Sequence, residues 1–243
     1  MTASPSVDNP ATLLERAALM RALALGFAYP APGHGARVRE ALKHVRASAG
    51  NGAWARMVAR ALNAARRAWR AAEEKELRPA YAWLFLGNPA CPPHETAYGD
   101  GRRIAGRTVE LADIAAFYGA FGLELSRAQP DLPDHLCAEL ECYSILLVKQ
   151  AYADSRKARA QSRVAKAAAR AFLEDHLGRW IGAFAEGLRE RHAPHAYRAL
   201  AALLAAAVQA ECRRQRVRPT RFMTRLPSDE MQADTLECPR AAA

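Results

Sequence analysis

Between Trp54 and Trp69 the apolar residues advance by three and four. Trp54, Val58, Ala61, Leu62, Ala65 and Trp69 therefore share one face of a helix. A strand would scatter the same residues over both of its faces. No run in the 243 residues sustains an alternation of period two. Alanine and leucine dominate and β-branched residues are scarce, which favours helices over sheets. Hydrophobic residues make up 51% of the chain, enough to build a core and to exclude a disordered protein. The expectation is an all-α protein, a single compact helical domain with roughly nine to eleven helices.

Punctuation along the chain divides it further. Asn9-Pro10 offers a cap followed by proline in the first turn, opening a helix that reaches Ala28 and stops at Tyr29-Pro30. A second helix is expected over Gly35–Ser48, and the striped helix follows Gly50-Asn51-Gly52. Pro79 is read as starting a short helix that carries Tyr81, Leu84 and Phe85. Gly87–Arg107 is rich in glycine and proline, and an irregular stretch of that length inside a compact domain is often functional. Thr108 is expected to cap a helix ending near Gly122, and Asp134 to cap the next, running to about Ala153. A basic segment, Ser155–Arg170, leads into Phe172–Arg191 with a break expected at Gly178, and Pro194 opens a last helix to about Arg216. These marks assign residues 1–10 to an N-terminal extension, 11–217 to the helical domain and 218–243 to a mobile C-terminal tail.

No basic cap precedes an apolar run at the N-terminus. The longest apolar run, Ala199–Val208, is far short of the roughly 20 residues that cross a bilayer. Five scattered cysteines fit reduced thiols better than a disulfide framework. The chain reads as soluble and cytoplasmic.

Charge is unevenly spread. From Thr108 to Val148 the acids Glu110, Asp113, Glu124, Asp131, Asp134, Glu139 and Glu141 face a single base, Arg127, inside a chain of net charge +10. An acidic, aromatic-bearing segment in a basic protein suits a cationic, partly apolar partner, such as a peptide with paired arginines beside a hydrophobic run.

Enzymatic chemistry finds little support. Gly99-Asp100-Gly101 is not followed by the pattern of a phosphate loop, and no Ser or Cys sits in a nucleophile elbow. Cys91-Pro92-Pro93-His94 has the spacing of half a metal site, but no second pair follows, so no metal and no cofactor are expected. His135 and Glu139 stand four apart, so they are expected to share a helix face. The runner-up function is a basic helical nucleic-acid-binding protein, carried by Arg156, Lys157, Arg159, Arg163, Lys166 and Arg170. Those bases lack interleaved aromatics and any helix-turn-helix or zinc-finger spacing.

Several short motifs together resemble the TorD/DmsD/NarJ family of redox-enzyme maturation chaperones. Ala24-Leu25-Gly26-Phe27-Ala28-Tyr29-Pro30 resembles the end of that family's first helix, and Tyr81-Ala82-Trp83-Leu84-Phe85 its aromatic-x-x-Leu-Phe motif. Asp131-Leu132-Pro133-Asp134-His135 is similar to its acidic-Pro-x-Asp-His motif, with the proline one place later and aspartate leading. Pro93-His94-Glu95-Thr96-Ala97-Tyr98-Gly99 resembles the Pro-Tyr-Glu-Thr-x-Tyr-Gly loop of the subgroup serving type II enzymes of the dimethyl sulfoxide reductase family, with His94 in place of tyrosine. Leu111–Gly122 and Asp175–Trp180 are also similar to that subgroup, and the match runs over residues 11–210. The resemblance implies a helical, cytoplasmic, non-enzymatic chaperone. Its partner would be the twin-arginine signal peptide or body of a molybdopterin-containing catalytic subunit, held for cofactor insertion before export. The client site it implies comprises Tyr81, Leu84, Phe85, Glu95, Tyr98, Asp134 and His135.

Overall fold

The computed structural model describes residues 9–46, 53–99, 104–126 and 131–222. Among them are nine α-helices: α1 (Pro10–Phe27), α2 (His34–His44), α3 (Ala53–Ala71), α4 (Glu74–Phe85), α5 (Ile104–Ala120), α6 (Leu136–Ser155), α7 (Arg159–Phe172), α8 (Gly178–Glu190) and α9 (His195–Gln215). A 3-10 turn at Glu95–Ala97 lies between α4 and α5, and a π turn at Leu173–Leu177 joins α7 to α8. No strand occurs among the described residues. The all-α expectation holds.

Local chemistry explains most boundaries. Asn9 accepts the Thr12 N–H at 2.8 Å and Pro10 fills the first turn, as the sequence suggested. Val58, Leu62, Ala65 and Trp69 on α3 are buried, and α3 packs mainly on α9. The Trp54 side chain lies outside what is described. On α7 a stripe of Ala165, Ala168, Ala169 and Phe172 faces the core while Arg159, Arg163, Lys166 and Arg170 face solvent.

Four boundaries differ from expectation. Pro79 lies inside α4, which begins five residues earlier at Glu74. Proline one turn in forfeits a single early hydrogen bond, and burial of Leu77, Tyr81, Leu84 and Phe85 outweighs that loss. Thr108 lies within α5, which starts at Ile104 and ends two residues before Gly122. The second helix stops at His44 rather than near Ser48, with Val45 turning to extended backbone and burying its side chain. The break expected at Gly178 is instead the π turn, through which the chain continues as helix. A side chain at Gly178 would put its Cβ 2.2 Å from the Leu173 carbonyl oxygen, so this wide turn admits only glycine there.

Helix α1 lies along α6, and α6, α8 and α9 complete the core around it. Gly26 lets α1 approach α9, since a Cβ there would meet Leu200 at 2.4 Å. The Arg16 guanidinium crosses from α1 to the Glu211 carboxylate of α9, both buried, and Tyr143 of α6 donates to the same carboxylate at 2.7 Å. A buried charge with a bidentate partner and a further donor avoids the penalty of an unpaired ion. Beyond α9 the described chain stays against the body. Val217 is buried, and the Phe222 ring stacks under Arg179 at 4.2 Å and against Gly99. Phe222, within the tail expected to be mobile from Arg218, is thus docked on the body, and residues 223–243 lie outside the described residues.

Candidate functional site

The irregular segment after α4 returns to the start of α6 and pairs with it. Glu95 N–H donates to the Asp134 carbonyl at 3.0 Å and Leu136 N–H to the Pro93 carbonyl at 2.9 Å, which sets His94 opposite His135 in an antiparallel bridge. Asp134, fully buried, fastens this bridge. One carboxylate oxygen accepts the Thr96 N–H at 3.2 Å and the Thr96 hydroxyl at 2.6 Å, and the other lies 3.2 Å from His94 Nδ1. Burial pushes the Asp134 carboxyl up, but the hydrogen bonds from His94 and Thr96 and the charge of His94 outweigh it and hold it below the ordinary range.

Asp134 is therefore not the cap of α6. That place belongs to His135, whose Nδ1 accepts the Cys137 N–H at 3.2 Å. The Asp134 oxygens are already committed to the 94–96 loop, so the next acceptor in the chain serves the helix. Burial, then the nearby charge of His94, push His135 down to about 4, while Asp131 and Asp134 pull it back up. Because His135 precedes the helix, it does not share a helical face with Glu139.

Below the bridge sits a buried acidic layer. Glu139 of α6 accepts the Trp180 indole N–H at 3.0 Å and faces Glu95, whose carboxylate lies 3.2 Å from His176 Nδ1. The π turn brings His176 to that position. Burial, then the Glu95 charge, raise the Glu139 carboxyl well above its ordinary range. Neither Glu95 Oε1 nor Glu139 Oε1 receives a hydrogen bond from another residue, and a proton kept by Glu139 is the donor suited to the space between them. Tyr98 packs on Trp180, ring centroids 5.4 Å apart, and donates to the Pro92 carbonyl at 3.0 Å. Tyr118 of α5 donates to the Pro133 carbonyl at 2.7 Å.

Of the seven residues expected to meet a client, Glu95, Tyr98, Asp134 and His135 come together here, all buried. Tyr81, Leu84 and Phe85 do not present apolar surface; they are core residues. Phe85 lies among Phe27, Phe184 and Tyr197, and Tyr81 lies edge-on to Tyr29 at 5.5 Å. Exposed instead are Trp83 within the motif and Leu86 just after it, with Tyr29 across from Tyr81. Sequence reasoning put Tyr81, Leu84 and Phe85 at the client site, because nothing local in the chain says which side chains turn inward.

Beside this frame runs an open groove of about 770 Å³. Its apolar floor includes Ala24, Leu25, Ala28, Tyr29 and Ile145. Glu124 and Asp131 contribute acids from the segment between α5 and α6 and Glu141 one from α6, while Arg21, Arg37 and His44 contribute bases from α1 and α2. None of the seven expected residues lines it. Asp131 joins groove and frame, its carboxylate 3.2 Å from His135 Nδ1. Sequence reasoning had singled out the acidic segment, yet not the α1–α2 side, because no local pattern connects the two.

Nucleophilic chemistry is disfavoured at these positions. Burial raises the thiols of Cys91 and Cys212 to about 11 and of Cys142 to about 12, and raises Cys137 further, so none is readily ionised. Cys91, fully buried, takes no part with His94, which meets His135 and Asp131 instead. No helix among the described residues is long and apolar enough to cross a membrane.

The helical body thus sets a braced, buried polar centre beside an open amphipathic groove. A family model described as nitrate reductase delta subunit matches residues 49–186, and the chain belongs to that family, as the likeness to the TorD/DmsD/NarJ chaperones led us to expect. It is 34% identical over 100 residues to the selenate reductase assembly chaperone protein of Thauera selenatis. That alignment spans 40% of this chain and half the length of the relative. A crystal structure assigned provisionally as a redox enzyme maturation protein from Archaeoglobus fulgidus superposes with a TM-score of 0.48 at 16% identity, covering 77% of this chain and 91% of the other.

Proposed function

We propose that the protein is a cytoplasmic assembly chaperone for the catalytic subunit of a molybdopterin-containing oxidoreductase of the type II dimethyl sulfoxide reductase family, and not an enzyme. Family membership and the relative named for selenate reductase assembly support the class of client. The observation that carries the mode of action is the groove. Its apolar floor suits the hydrophobic run of a twin-arginine signal peptide, and Glu124, Asp131 and Glu141 suit the arginines. Binding there would hold the subunit until its cofactor is inserted and then release it for export.

In this reading Tyr81, Leu84, Phe85, Glu95, Tyr98, Asp134 and His135 support the client surface from beneath. Tyr81 backs Tyr29, and the Asp134–Thr96 hydrogen bonds brace the segment that carries Asp131. The test is calorimetry with a synthetic twin-arginine signal peptide of a molybdoenzyme encoded nearby. The Glu124→Gln/Glu141→Gln double variant and Tyr29→Ala are each expected to weaken binding by about tenfold, the scale of one or two solvated charge or aromatic contacts. A peptide with both arginines changed to alanine should mimic the acidic-residue loss. Full affinity in both folded variants would remove the groove from client recognition.

A further inference from the structure

Two histidines and an aspartate converge at the bridge in a way that their hydrogen bonds do not account for. His94 and His135 face each other with ring centroids 5.0 Å apart, and Asp131 stands four residues before His135. One donor atom from each of the three lies within 4.8 Å of the other two. His135 Nδ1 accepts the Cys137 N–H, so that nitrogen bears a lone pair and no proton. The same nitrogen lies 3.2 Å from an oxygen of the Asp131 carboxylate. That nitrogen has one lone pair, which can cap α6 or turn to a cation shared with the Asp131 carboxylate, but cannot do both.

The spacing suits a metal ion. Ligand atoms about 2.0–2.1 Å from a tetrahedral zinc are about 3.3 Å from one another. The His135–Asp131 separation of 3.2 Å matches two adjacent vertices, an ion there would take over the lone pair that caps α6, and a ligand atom of His94 lies within 4.8 Å of both. Asp134 lies 3.2 Å from His94 Nδ1, the carboxylate–histidine contact that fixes a ligating ring's orientation and leaves Nε2 free. Access is graded: the side chains of His135, His94 and Asp131 are 7%, 25% and 45% exposed. An ion can therefore enter from the Asp131 side, and the deepest ligand is the best fixed.

The geometry points to a binding site for one divalent transition-metal ion, zinc by its donor set, on His94, Asp131 and His135. Three protein ligands leave a fourth position for water or a group from a partner. An ion here would lock the segment ahead of α6 to the 93–96 loop, and so stiffen the Asp131 side of the groove. The sequence concealed the site because its ligands come from two segments that meet only through the bridge.

Tag-free full-length chain, stripped with a chelator, is titrated with zinc chloride against a chromophoric competitor. One zinc per chain is expected, with His94→Gln and Asp131→Asn each lowering affinity at least about tenfold. Both variants preserve local structure: asparagine can still accept the Leu132 N–H that Asp131 receives at 2.9 Å, and glutamine can still donate to Asp134. Circular dichroism checks that each is folded. Absence of saturable binding, or unchanged affinity in either variant, would overturn the site. Because neither variant alters Glu124 or Glu141, a failure here is separable from a failure of the groove in peptide binding.

Discussion

Replacing Asp134 with alanine separates a structural brace from a client contact. The side chain is fully buried and receives the Thr96 N–H at 3.2 Å, the Thr96 hydroxyl at 2.6 Å and the His94 ring at 3.2 Å. Hydrogen bonds to a charged group contribute about 1.5–3 kcal/mol each, and a buried donor left unpaired costs about 1–3 kcal/mol. These contributions overlap, and relief from burying the charge offsets part of them. A net loss of about 3 kcal/mol follows, a large share of a typical stability of about 5–15 kcal/mol. For a chain of this length it lowers Tm by about 6–12 °C. The backbone bridge, Glu95 to Asp134 and Leu136 to Pro93, does not involve the side chain, so the variant should still fold. The assay is urea unfolding by circular dichroism with chelator present, repeated over a pH series. Since the folded carboxyl titrates below the ordinary range, its stabilisation is complete above the unfolded carboxylate value of about 3.9 and vanishes as pH falls through the folded value. The gap between wild type and variant should therefore be constant near neutrality and close in acid. A loss below about 1 kcal/mol at neutral pH would refute the bracing role.

Three further outcomes are expected. Glu139 titrates the opposite way: its folded pKa is raised, so its contribution is complete below 4.5 and is lost as pH rises toward the folded value, at about 1.4 kcal/mol per pH unit. Glu139→Gln should flatten that slope and be the more stable protein at neutral pH; parallel profiles in thermal melts would count against a retained proton. Gly178→Ala should cost about 1–3 kcal/mol by thermal unfolding, since the added Cβ meets a backbone carbonyl that cannot rotate away; a neutral result would contradict the tight π turn. Leu84→Ala should cost about 2–5 kcal/mol, whereas Trp83→Ala, half exposed beside it, should stay within about 0.5 kcal/mol. Equal effects in denaturant titrations would show that the motif is not divided between core and surface.

Helices were legible in the sequence because their determinants lie within a turn of one another. The Val58–Trp69 stripe, the Asn9-Pro10 start and the Pro194 start each need only neighbours three or four residues away, and each stands in the structure as read. Family membership was legible for a related reason, since the order of short motifs survives in the chain whatever their surroundings. Local rules failed wherever a distant segment competed for the same atoms. Asp134 has the side chain of a helix cap, but Thr96, 38 residues earlier, holds its carboxylate, so His135 takes the cap. Tyr81, Leu84 and Phe85 have the spacing of a binding face, but α1, α8 and α9 close over them, and burial is a property of what lies opposite. Pro79 and Thr108 look like starts, yet packing and upstream residues extend both helices past them. The groove and the His94–Asp131–His135 cluster belong wholly to the tertiary structure, because each is made of segments that only the fold brings within a few ångströms.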